Sequence, residues 1–237
     1  MKRVLFGGLL AASVMWPWIA TAGPYSDAEL QLRDAYESYR TALFQSNSGN
    51  ADATGKAMQA LGEKWTKLST EWTAQKPPQY EDDAGLEATL SQVSGIIQQA
   101  SEEVAGGDLP KAHLTLEAVR IELGKLHERS GIISFSDRMN AYHAKMEMVL
   151  EMGGEELGAD RLAEVADAVA VLDYLAHDIL AHPAPEAADT AYAPLVEGVV
   201  QSVETLRKAT REGDLAKVKE AIGGLKAPYA KLFAKFG

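Results

Sequence analysis

The sequence predicts an all-α protein: two tandem up-down-up-down four-helix bundles behind a cleaved signal peptide. Three observations carry this. Apolar residues recur at helical spacing, as in Leu90, Val93, Ile97 and Ala100, and again in Leu116, Val119, Leu123 and Leu126, the period a buried helical stripe requires. No stretch alternates with period two beside turn signals, so strands are not expected. The chain also repeats itself under one constant, gapless shift of 106 residues, which carries Gly107-Asp108-Leu109-Pro110-Lys111 onto Gly213-Asp214-Leu215-Ala216-Lys217. The same shift carries Asp34-Ala35-Tyr36 onto Asn140-Ala141-Tyr142, Lys125-Leu126 onto Lys231-Leu232, and Lys76-Pro77-Pro78 onto His182-Pro183-Ala184.

The leader comes first. Met1-Lys2-Arg3 is a short basic start, an apolar run follows from Val4 to Ala20, and Ala20-Thr21-Ala22 has the small-x-small form of a cleavage site. The apolar run is short for a membrane span of about 20 residues. Cleavage after Ala22 leaves 215 of the 237 residues and takes the net charge from −11 to −13, since both lost charges are basic. The expected location is periplasmic, as an exported, soluble chain. The first bundle then covers 23–131 and the second 132–237.

Four helices are expected in each unit. In the first they fall near 26–46, 52–75, 84–105 and 109–129; in the second near 136–152, 159–181, 190–211 and 215–236. Asp108 and Asp214 stand where an N-cap belongs, their carboxylates placed to accept orphan backbone N–H groups. Gly106-Gly107 and Gly213 end the preceding helices. Pro77-Pro78 and Pro183-Ala184-Pro185 break the chain between helices two and three of each unit. Short connections favour antiparallel neighbours. Pro228 falls inside the last helix and is expected to kink it.

Composition narrows the function. Lys and Arg number 23 against 34 Asp and Glu, a balance unsuited to nucleic acid, whose binders need a basic face. The absence of cysteine removes disulfides, thiolate nucleophiles, Fe–S clusters and c-type haem attachment. There is no Glu-x-x-His pair, no His-Glu-x-x-His, no Gly-x-Ser-x-Gly and no Walker loop. Ser46 to Asp52 is oxygen-rich but lacks a calcium ladder and reads as a turn. No nucleophile–base pair can be named, so an enzyme is not expected.

One local composition stands out. Met139, Met146, Met148 and Met152 fall within fourteen residues, with His143 among them. Met139, His143 and Met146 lie within about 60° on one helix face, beside Tyr142. Thioether and imidazole suit Cu(I) and haem iron; the same methionines also serve as adaptable core filler. Met148 and Met152 point the other way, towards a contact surface. His127 ends the fourth helix, where a cation favours the helix dipole. His113 has charged neighbours and is expected to be exposed. His177 and His182 are too far apart around their helix to converge.

The units resemble the cytochrome b562 family of periplasmic four-helix bundles that hold one haem noncovalently. The likeness rests on Asp137-Arg138-Met139 at the start of a first helix, on the Pro77-Pro78 break, and on Gly107-Asp108-Leu109-Pro110-Lys111-Ala112 opening a fourth. The resemblance implies a Met ligand at Met139 and a His ligand at His127. Under the 106 shift, however, Met139 corresponds to Arg33 and His127 to Phe233, so neither half holds both. Either the haem site has decayed, or His127 and Met139 meet at the junction of the halves with His143 and Met146 beside them. The expected function is therefore binding of haem b or copper through His127, Met139, His143 and Met146, for electron transfer or metal handling. The alternative is a cofactor-free module that meets a periplasmic protein partner.

Overall fold

The computed structural model describes residues 23–154, 157–158 and 161–237, and among these every regular element is helical. The leader at 1–22 lies outside the described residues, and no described helix is long and apolar enough to cross a membrane. In chain order the helices are α1 (Pro24–Asn47), α2 (Ala51–Ala74), α3 (Leu86–Ala105), α4 (Leu109–Arg129), α5 (Phe135–Gly154), α6 (Leu162–Ala181), α7 (Tyr192–Glu212), α8 (Leu215–Gly223) and α9 (Lys226–Phe236). A 3-10 turn at Pro78–Tyr80 follows the Pro77-Pro78 break.

Local chemistry sets the boundaries. Asp108 and Asp214 cap α4 and α8 identically, Oδ1 accepting from the backbone N–H of Lys111 at 3.1 Å and of Lys217 at 3.2 Å. The residue before each, Gly107 and Gly213, has φ of +82° and +70°, a left-handed turn that glycine adopts without a Cβ clash. The last helix departs from expectation. It divides into α8 and α9 around Gly224-Leu225 instead of kinking at Pro228. Pro228 therefore stands in the first turn of α9, where its missing N–H costs no intrahelical bond.

Packing follows the chain. In the first half α1 packs on α2, α2 on α3, α3 on α4, and α4 back on α1. In the second, α5 packs on α6 and α6 on α7, α7 meets both α8 and α9, and these return to α5. The first core is built around Trp65, Trp72 and Tyr80, and the two indole N–H groups donate to Ser94 Oγ and Gln31 Oε1, each at 3.0 Å. Buried indoles need such partners. The second core holds Met139, Tyr142, Met146 and Val149 completely buried.

The halves lie against one another through α1, α4, α5 and α9, and their buried apolar residues form one continuous cluster. Polar contacts tie this seam. Arg40 is only 6% exposed and donates to the backbone carbonyls of Gly237 and, at 3.4 Å, Lys235. Arg33 pairs with Glu186, and Asn140 Nδ2 donates to the Tyr36 hydroxyl at 3.3 Å.

Helices α5 and α8 meet at Gly153, where a Cβ would stand 2.7 Å from Ile222 Cγ2. Overpacking typically costs about 1–3 kcal/mol. Gly153→Leu is expected to lower stability by about that much in urea unfolding, and Ile222→Ala in the same chain should restore part of the loss. A double variant no better than the single would show that the contact is not the cause.

Candidate functional site

The turn between the halves organises His127. Gly131 takes φ +66°, and Ser134 and Asp137 then cap α5 reciprocally. Ser134 N–H donates to Asp137 Oδ2 at 2.7 Å, and Asp137 N–H donates to Ser134 Oγ at 3.2 Å. The same Asp137 oxygen accepts from Ser134 Oγ at 2.7 Å and from His127 Nδ1 at 2.8 Å. Burial raises the Asp137 carboxyl, but the hydrogen bonds and charge of His127 with those of Ser134 outweigh it and hold it below its usual range. His127 itself is 5% exposed and lies parallel to Tyr80, ring centroids 6.4 Å apart. Its Nε2 is buried without a hydrogen-bond partner among the described residues. Although serine, histidine and aspartate meet here, Ser134 bonds the carboxylate and not Nε2, so the geometry is not that of an activated nucleophile.

The His127 pocket does not fit a haem clamped by Met139. His127, Asn140 and Tyr36 border a cavity of about 30 Å³, room for about one or two waters. Met139 is completely enclosed and lines neither this cavity nor the larger one described next. The other two expected ligands, His143 and Met146, are brought together elsewhere.

They share a cavity of about 300 Å³ at the seam between the halves. Its apolar wall includes Leu43, Phe44, Leu114, Met146, Tyr229 and Phe233, and its polar groups are Asn47, His113, Glu117, Arg120, His143, Glu147 and Lys226. Helices α1 and α4 supply one side, α5 and α9 the other, so neither half forms it alone. His143 stacks on Tyr229 with ring centroids 5.1 Å apart. Among the described residues, no group of three or more His, Asp or Glu side chains is arranged to hold a metal ion.

The polar groups form two matching sets. On α4, Glu117 lies 3.5 Å from His113 Nε2 and pairs with Arg120. Across the cavity, Glu147 lies 3.4 Å from His143 Nε2 and 3.7 Å from Lys226 Nζ. His113 Nδ1 is 3.1 Å from the Leu43 carbonyl, which can only accept, so Nδ1 carries the proton. Burial lowers the His113 pKa, with Arg120 and Lys226 adding to it; the Leu43 hydrogen bond and Glu147 oppose. His143 is pulled down to about 3, by burial first and then by Arg120, Lys226 and His113. Both rings are thus neutral near pH 7.

Half of this site was missed in the sequence. His113 is half-buried against the cavity, not exposed, and Arg120 and Lys226 drew no notice. Two signals mark them: His113/Glu117 and His143/Glu147 share one-turn spacing, and Arg120 corresponds to Lys226 under the 106 shift. His177 and His182 remain exposed, each Nδ1 beside a carbonyl one turn back. Met148 is 53% exposed, while Met152 packs partly against the core.

The His143 shift fixes a pH dependence. The folded value near 3 lies below the ordinary 6.5, so between these values the unfolded chain binds more protons and stability falls as pH falls. The slope is at most about 1.4 kcal/mol per pH unit from this one group. In urea titrations from pH 7.5 to 4.5, His143→Gln should lose stability less steeply than the parent chain. Parallel curves would contradict the burial of a neutral imidazole.

Comparison with protein-family models, with curated proteins and with solved structures finds no match.

Proposed function

We propose that this chain is a non-catalytic binding protein whose ligand is a small molecule held in the seam cavity between its two halves. The observation that supports this most is the cavity itself: about 300 Å³, mostly apolar, with polar groups converging from both halves. Ligand sites of globular proteins start near that size and have that lining. Its position between two packed units is also where such sites are commonly found.

Occupancy can be followed with 4-phenylbutan-1-ol, a neutral probe with an apolar body, by methyl NMR. Saturable shifts are expected at the Met146 and Ala230 methyls, both on the cavity wall. Ala230→Trp should fill the space and abolish them while the remaining spectrum keeps its dispersion. Shifts scattered over the surface, or binding that survives Ala230→Trp, would overturn the proposal.

A soft-metal reading has one specific support. His143 and Met146 line the same cavity, with His113 opposite, and the His143 imidazole is unprotonated at neutral pH. Arg120 and Lys226 weigh against it, since they hold the two carboxylates of the cavity, Glu117 and Glu147, as partners of their own. Titration with Cu(I) alone under anaerobic conditions separates the readings. A stoichiometric shift of the Met146 methyl would favour copper; none would end that reading.

A further inference from the structure

We infer that the ligand of the seam cavity is a small amphipathic anion, its carboxylate-type head held between Arg120 and Lys226 and its apolar body against Phe44, Leu114 and Phe233. This rests on the reading of the cavity as a ligand site and adds the chemistry of what enters it.

The placement of charge carries the inference. Arg120 is 7% exposed, an enclosed guanidinium on the wall of a mostly apolar space. Such a fork matches a carboxylate in two parallel hydrogen bonds. Lys226 faces the same space from the first turn of α9, so the positive end of that helix borders it too. The two cations are not a chance pair, because the 106 shift makes them equivalent positions of the two units. Packing the units side by side therefore brings one cation from each to a single cavity.

The carboxylates match the two cations in number but leave them donors to spare. Glu117 pairs with Arg120, and Glu147 lies 3.7 Å from Lys226 Nζ, yet a guanidinium carries five N–H donors and an ammonium three. After burial, the largest cause, Arg120 and Lys226 both disfavour the protonated form of His143. A neutral ligand would leave the enclosed guanidinium without a better partner than Glu117. An anion gains charge-assisted hydrogen bonds from both cations in a site partly shielded from water.

A matched set of probes tests the head group with the apolar body held constant: 4-phenylbutyrate, 4-phenylbutan-1-ol and 4-phenylbutylamine, each titrated into the whole chain by methyl NMR and calorimetry. The carboxylate is expected to bind about tenfold or more tighter than the alcohol, a difference of about 1.4 kcal/mol, and the amine weakest. Lys226→Met, at an exposed position, should weaken the carboxylate by about five- to tenfold and leave the alcohol unchanged. Raising salt should weaken only the carboxylate. Should the alcohol or amine bind as tightly as the carboxylate, the anion inference fails while the cavity reading stands. Should Lys226→Met leave the carboxylate affinity untouched, the two-cation clamp fails. If none of the three probes moves the Met146 or Ala230 methyls, the cavity reading itself is lost.

Discussion

Arg40 reaches out of the first bundle to the last turn of α9, where its guanidinium donates to the carbonyls of Lys235 and Gly237. Burial disfavours its charged form, yet the last carbonyls of a helix lack intrahelical partners and favour a cation. The contact gives those carbonyls a donor and the guanidinium two acceptors. With Arg33 on Glu186 and Asn140 on Tyr36, it sets α1 beside α5 and α9. The seam cavity exists only because of that placement, since its lining comes from α1 and α4 on one side and α5 and α9 on the other.

The two halves use equivalent positions for opposite purposes. Arg33 and Arg40 correspond under the 106 shift to Met139 and Met146. In the second half those methionines are completely buried and fill the core. In the first half the arginines bridge to the neighbouring unit. Tyr36 and Tyr142, also equivalent, are both enclosed, and burial raises both phenols. Exchanging a thioether for a guanidinium at these equivalent positions turns a core face into an interface, and the shared cavity lies between the two halves.

Much of this fold was legible in the sequence, for a definite reason. Helical stripes such as Leu116, Val119, Leu123 and Leu126 depend only on local period, and each of the four is buried. Asp108 and Asp214 depend on cap chemistry within three residues, and both caps form as expected. Pro228 misled because its effect depends on where a helix starts: the break at Gly224-Leu225 puts it in a first turn, where proline is harmless. The site was only partly legible. His143 and Met146 share a helix face, so spacing alone brought them together. His113, Arg120 and Lys226 join them through the packing of one half on the other, which no local pattern encodes. From the sequence His127 reads as a helix-end cation or as a ligand with Met139, whereas the turn at Gly131 folds Asp137 back onto it.

The central claim is that the halves pack side by side through α1, and the hydrogen bond from Asn140 to Tyr36 reports that packing at one point. Its partners are 3.3 Å apart and belong to different halves. In a nuclear Overhauser spectrum of the intact chain, the Asn140 side-chain amide should show cross-peaks to the Tyr36 ring. Assigned resonances for both residues, folded bundles and no such cross-peak would contradict the seam and the site built upon it.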